Sequence, residues 1–245
     1  MIFFKRLLVL FCAIYLLPAF ASAALWAIKE RPSSWRDAKW TSSGLLQPAT
    51  RDRDAAIYIF SAQTGGMKGA VASHSWIVTK KAGATSYDRY DKVGWGTPIR
   101  KNGYPADAFW YSNQPHLVQK ITGAEAERLL PKVEAAISAY PYNRPGGYRL
   151  YPGPNSNTFV AHVLRSVPEL DAVLPPDAVG RDYLPEGKMF QVDADGLDMH
   201  ATLYGLAGIS AGVRSGIEVH LLGLVAGLDL RNPGIKIPAL GRFGL

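Results

Sequence analysis

The stretch GPNSNTFVAHVLR, Gly153 to Arg165, decides the fold class. Pro154 and the run Asn155, Ser156, Asn157, Thr158 are helix-starting residues, and Phe159, Val160, Val163, Leu164 and Val167 follow at helical spacing. An amphipathic helix of about three turns is therefore expected to open at Ser156. At about 100° per residue, Ser156 projects on the same side as Phe159, Val160, Val163 and Val167, so it faces a packed sheet and not solvent. The first N–H groups of a helix lack intrahelical partners and carry partial positive charge, which suits them to stabilise an alkoxide or an oxyanion. The same four polar residues also serve as plain helix caps, with no chemistry attached.

Upstream, apolar and β-branched runs at Ala55 to Ser61 and Ala70 to Lys80 predict two strands joined as a hairpin by Gly65, Gly66 and Gly69, whose spacing is not that of a phosphate loop. Tyr87 to Trp95 and His116 to Ile121 are further strand candidates. Thr122 with Glu125 forms a capping-box pattern before a helix whose apolar stripe is Leu129, Leu130, Val133, Ile137 and Tyr140, with Pro131 expected to kink it. A short strand at Tyr148 to Tyr151 leads into the second helix. Strands, helix, strand, helix and more strands in that order define an α+β domain, not a doubly wound sheet.

Within GAVASHSWIVTK, alternation places Ala72, His74, Trp76 and Val78 on one apolar face. A histidine there is either a hydrogen-bonded core residue or, if the helix opening at Ser156 packs on the same face, a general base beside its nucleophile. Asp88 or Asp91 on the next strand would orient the ring. His162 projects away from its helix's apolar stripe and is the poorer candidate.

The paired segments SHSWIVTK and GPNSNTFVAHVLR resemble an uncharacterised bacterial exported family, a domain of unknown function, over roughly residues 50 to 245. That family is in turn similar to the circularly permuted papain-like class, which includes lecithin retinol acyltransferase-like proteins and NlpC-type wall peptidases. The resemblance implies a papain-like permuted core of antiparallel sheet with packed helices. It also implies a strand histidine ahead of a nucleophile at a helix start, usually Asn-Cys followed by a Phe-Val type run. Asn155 and Ser156 stand in the Asn-Cys position and His74 in the histidine position, so the resemblance makes Ser156, His74 and Asn155 the candidate catalytic residues. Serine replaces cysteine here. The implied activity is that of a serine-dependent hydrolase or acyltransferase acting on a wall peptide or lipid, or else the fold serves as a non-catalytic envelope-binding or structural module.

The glycine-rich C-terminal section carries a weak repeat. Gly196-Leu-Asp-Met-His200 and Gly216-Ile-Glu-Val-His220 share a pattern that predicts two strands, with Asp198 and His200 on one face of the first and Glu218 and His220 on one face of the second. Were these strands neighbours in register, they would form a ligand set for zinc or manganese. Solvated strand faces account for the same residues, and no metal or other cofactor is expected. Gly208-Ile-Ser210-Ala-Gly212 matches a nucleophile-elbow pattern but lacks the following helix and the downstream acid and histidine that motif requires.

The N-terminus has Lys5 and Arg6, an apolar run from Leu7 to Phe20, and the small residues Ala21, Ser22 and Ala23, the layout of a signal peptide. Ala24 to Ile28 prolong the run toward bilayer-spanning length, so an uncleaved anchor is the other reading. The expected division is residues 1–23 as signal or membrane anchor, 24–54 as an exposed lead-in, and 55–245 as one domain. The expected location is periplasmic or otherwise extracytoplasmic. Cys12 is the one cysteine and lies in the apolar run, so the rest of the chain has no disulfide, thiolate metal site or cysteine nucleophile. The net charge is +7, and residues 24–102 hold 13 basic and 6 acidic side chains against 12 and 14 in residues 103–245. Such a basic half would be drawn to an anionic envelope component, a lipid head group or wall polymer. Export disfavours nucleic acid, and nothing in the sequence sets the oligomeric state.

Overall fold

Two β-branched and aromatic runs nucleate the first sheet. In the computed structural model, which describes residues 2–244, β1 (Ala56–Gln63) and β2 (Ser73–Lys80) pair antiparallel through a 3₁₀ turn at Gly66–Ala70. Strand β3 (Asp88–Lys92) and the short β4 (Ile99–Lys101) extend the sheet beyond β2, while β5 (His116–Thr122) pairs with the other edge of β1, giving the order β4-β3-β2-β1-β5. This sheet is covered on both faces, which is why β1 and β2 are buried along nearly their whole length.

One face presents Ile57, Ile59 and Ile77 to helices α2 (Ala124–Ser138) and α3 (Ser156–Ser166). Leu129, Leu130, Val133 and Ile137 from α2, with Tyr140 just beyond it, pack there against Phe159, Val160 and Val163 from α3. The expected capping box does not form. Thr122 ends β5 in register with Ala56, Gly123 caps α2 at φ +70°, and Glu125 instead pairs with Arg128 at 2.7 Å. Helix α2 also runs unbroken through Pro131, which lies on its exposed side together with Glu127, where solvent can meet the carbonyl that proline leaves unbonded.

The other face carries Tyr58, Phe60, Trp76 and Val78 with Trp110, and partly buried Trp40 and Leu46 reach it from the N-terminal lead-in. The lead-in is mostly exposed, yet Trp40 stacks on Tyr104 at 5.0 Å and meets Trp110 edge-on at 5.1 Å. Trp40 is therefore a lid on the second core layer. Tyr148 to Tyr151 makes no strand, because Arg149 N–H folds back onto the Pro154 carbonyl at 2.8 Å.

The C-terminal section is a seven-stranded antiparallel meander in sequential order, β6 (Phe190–Val192), β7 (Asp198–Leu203), β8 (Ala207–Gly212), β9 (Gly216–Leu221), β10 (Leu224–Asp229), β11 (Gly234–Ile237) and β12 (Gly241–Gly244). The β9–β10 turn, Leu222-Gly223, holds both residues at positive φ, the twist-matched geometry of a two-residue hairpin, and the three-residue β7–β8 loop holds Tyr204 and Gly205 at positive φ as well. The two repeat segments become β7 and β9, which are not neighbours, since β8 lies between them. Nor is the acid-histidine face solvated. Asp198, His200, Glu218 and His220 are buried, and the alternate positions Met199, Ile217 and Val219 are exposed.

Residues Ile2–Ile28 form α1, interrupted by a π-helical turn at Cys12–Leu16, and this helix is long and apolar enough to cross a membrane, as a signal segment or an anchor would be. It is docked on the domain. Tyr15 Oη donates to the Val219 carbonyl on β9 at 2.9 Å, and Trp26 Nε1 donates to the Gly66 carbonyl at 3.0 Å.

Candidate functional site

On β2 and β3, residues facing the second core layer form a continuous polar chain. His74 Nε2 lies 2.9 Å from Asp91 Oδ1, and the Arg89 guanidinium grips the same carboxylate with Nε to Oδ2 at 2.7 Å and Nη2 to Oδ1 at 2.8 Å. All three are buried. Arg89 is further held by the Pro105 carbonyl at 2.9 Å and by the face of Trp76, 4.0 Å from its guanidinium carbon. His74 itself lies flat on Trp110, ring centres 3.7 Å apart and planes within 3°.

This arrangement sets the protonation states. Burial alone would raise the Asp91 pKa, but the Arg89 charge and hydrogen bonds from His74 and Arg89 outweigh it and hold Asp91 down at about 2. A carboxylate is an acceptor, so the hydrogen on His74 sits on Nε2 and the Nδ1 lone pair is free. Burial lowers the His74 pKa against the pull of Asp91. The ring is thus a neutral base at ordinary pH, and its Nδ1 makes no hydrogen bond among the described residues.

His74 borders a cavity of about 380 Å³ that Ser156 also borders. Its walls are mainly apolar, with Trp95, Tyr111, Tyr148, Tyr151, Leu222 and Leu224 among them. Ser156 stands at the first position of α3. Asn155 caps that helix: its Oδ1 accepts from Asn157 N–H at 3.0 Å and Thr158 N–H at 3.2 Å, and Thr158 Oγ1 accepts from Asn155 N–H at 3.1 Å. Asn155 Nδ2 donates to the Leu150 and Val179 carbonyls, both at 3.0 Å, fixing the loop on either side of the cavity. With the neighbouring amides so committed, Ser156 N–H is the first-turn donor that has no partner among the described residues.

The structure brings Ser156 and His74 to one cavity but not by the expected route. Helix α3 packs on the face bearing Ile59 and Ile77, whereas His74 shares the opposite face with Trp76 and Trp110. The two residues meet the cavity around the end of β2, where Asn157 Nδ2 donates to the Ser73 carbonyl at 2.9 Å. No hydrogen bond joins Ser156 to His74 among the described residues. Of the two candidate orienting acids, Asp91 holds the ring, while Asp88 pairs with Lys101 at 3.1 Å. His162 sits edge-on to Tyr140, 5.3 Å between ring centres, away from the cavity. Arg89 and Trp110 were not foreseen. The i, i+2 spacing of Arg89 and Asp91 on a strand could have revealed the first, whereas Trp110 lies outside any patterned element.

A second polar cluster lies between α3 and the inner face of the C-terminal sheet. Arg165, Arg181, Arg214 and Lys236 meet Asp182, Asp193, Asp198 and Glu218 there. Glu218 bridges Arg181 and Lys236, and Arg214 reaches Asp198 at 2.9 Å and Asp193 at 3.3 Å. These cations occupy the carboxylates that the repeat would have offered to a metal, and no group of three or more His, Cys, Asp or Glu among the described residues is placed to hold one. His200 is flanked by Ser210 Oγ at 2.9 Å and Asp193 Oδ1 at 3.0 Å. Ser210 is sealed within the sheet at 1% exposure, so this triad-like set has no access to substrate.

Residues 54–183 match the family model described as a protein of unknown function, DUF3750, and the chain belongs to that family. The matched region spans the five-stranded sheet, both packed helices, His74, Asp91, Asn155 and Ser156, and it ends before β6. Neither the curated proteins nor the solved structures give a significant match.

Proposed function

We propose that this protein acts in the cell envelope on an acyl or amide substrate, a wall peptide or a lipid, through a serine-histidine site on a papain-like permuted core. The observation that carries this reading is the buried Arg89-Asp91-His74 chain, which leaves a neutral imidazole with a free Nδ1 beside a cavity that also holds a helix-terminal serine. In the reaction Ser156 Oγ attacks the substrate carbonyl carbon while its proton passes to His74 Nδ1. The oxyanion is stabilised by Ser156 N–H. Collapse expels the amine or alcohol, which takes the proton from His74, and water then hydrolyses the acyl-serine with His74 again as base. The α1 helix directs the domain out of the cytoplasm. Of the basic side chains in residues 24–102, Lys80, Arg89 and Lys92 are buried in structural bonds. The exposed remainder would attract anionic head groups or wall polymer.

A second reading, a non-catalytic envelope-binding module, is favoured by the packing of α3 on the face opposite His74 and by the missing Ser156-His74 hydrogen bond. A phosphonylating serine probe separates the two. The catalytic reading expects labelling at Ser156 that is abolished in Ser156→Ala and strongly reduced in His74→Ala. It also expects the thiol of a Ser156→Cys variant to titrate well below about 8.5. An unlabelled parent whose engineered thiol titrates like a free one establishes the binding module.

A further inference from the structure

The C-terminal sheet is built inside out. Its inner positions carry the charged cluster, and across the register its outer positions carry Met199, Ile209, Ile217, Leu228, Ile235 and Phe243, one each from β7 to β12 and all 43–57% exposed. Among the described residues, no polar or charged side chain occupies an outward position on any of the seven strands. Seven strands about 4.8 Å apart and three to six residues long make a face about 30 Å wide and about 10–20 Å deep. That lies toward the upper end of the largest apolar patch of an ordinary monomer, about 300–600 Å².

We infer that this face is seated in the hydrocarbon of a lipid bilayer. Two observations select lipid over a protein partner. The membrane-compatible helix α1 docks on the same sheet, with Tyr15 bonded to the Val219 carbonyl of β9 and buried at 5% exposure, so the sheet adjoins a segment already suited to lipid. The face also offers no side-chain donor or acceptor, whereas protein interfaces carry about one hydrogen bond per 100–200 Å². Antiparallel pairing satisfies the backbone within the sheet, and the inner charged layer stays paired and away from lipid. Leu222 and Leu224 stand at the β9–β10 end of the face and also line the His74-Ser156 cavity, so that seating brings the cavity to the membrane surface. The inference holds whether or not the cavity is catalytic.

The test uses the full chain with Cys12→Ser and single fluorophore-labelled cysteines, Ile209→Cys or Ile235→Cys on the face and Glu127→Cys on the exposed side of α2. Each is reconstituted in vesicles of phosphatidylethanolamine with phosphatidylglycerol. Labels on the face lose emission to nitroxides on the acyl chains and are shielded from aqueous iodide, while the label at 127 shows the reverse. Quenching of the face labels by iodide, as at 127, overturns the inference. So does shielding from both quenchers with energy transfer between differently labelled copies, which identifies a second copy as the cover. Circular dichroism checks that each variant is folded.

Discussion

Replacing Asp91 by asparagine separates the structural work of the Arg89-Asp91-His74 chain from its chemical work. The side chain keeps its shape, but the fully buried guanidinium of Arg89 loses its counter-charge and one of its two hydrogen bonds to residue 91, keeping the amide oxygen, the Pro105 carbonyl and the Trp76 face. Breaking a buried pair by removing one partner costs about 3–5 kcal/mol. A second route gives a similar size: holding the carboxyl from 3.8 down to about 2 is worth about 2.5 kcal/mol by linkage. We expect Asp91→Asn to lose about 3 kcal/mol in urea denaturation followed by tryptophan fluorescence near neutral pH. Adding Arg89→Met removes the stranded charge and should restore stability to within about 1 kcal/mol of the parent. The probe reaction at Ser156 should not recover. An amide donating to His74 Nε2 moves the ring hydrogen to Nδ1, and that tautomer cannot act as the base. A single-variant cost below about 1 kcal/mol, or a double variant labelled as fast as the parent, refutes the assignment.

Two further outcomes follow from burial. The His74 pKa is lowered, so the unfolded chain takes up a proton first as pH falls; stability is full above about 6.5 and declines below it, in step with His116, His162 and His220, which burial shifts the same way. Urea midpoints across pH will show this slope, and serine labelling should persist down to below 6.5 before it fails. Asp177 opposes that trend, since burial raises it to about 6, so Asp177→Asn should raise the midpoint above pH 6 and steepen the acid decline. Gly208→Ala would place a Cβ 2.1 Å from the Ala201 carbonyl and 2.2 Å from His220 Nε2, and it should cost about 1–3 kcal/mol in thermal denaturation.

Local patterns in the sequence carried the first half of the fold well. Apolar and β-branched runs located β1 and β2, which are covered on both faces, and helical spacing located α2 and α3 with their buried apolar stripes. The acid-histidine repeat located β7 and β9, yet its facing was inverted. Alternation shows that two faces differ but not which one is inward, and the usual assignment of apolar residues to the interior fails when the interior is an ion-paired layer. Thr122 failed as a cap because β5 had already claimed its backbone. His74 and Ser156 were legible as chemistry-bearing residues. Their approach around the end of β2, and the Trp110 ring beneath the imidazole, depend on loop paths that leave no periodic trace.

The sequential order of the C-terminal strands also bears on how the chain folds. Each of those pairings joins consecutive strands, whereas β1 must wait for β5, with Ala56 opposite Thr122, before the first sheet closes. By separation along the chain the meander is the faster element. Its inner face, however, holds charges that pair only in part within the sheet, as Lys236 with Glu218 and Arg214 with Asp198, while Glu218 and His220 also reach Arg181 and Asp182 beyond α3. The early-synthesised half therefore acts as the template on which the late half settles. A nascent chain whose first sheet fails to close would present a finished meander with one greasy side and an inner side lacking its Arg181 and Asp182 partners, a species prone to aggregate.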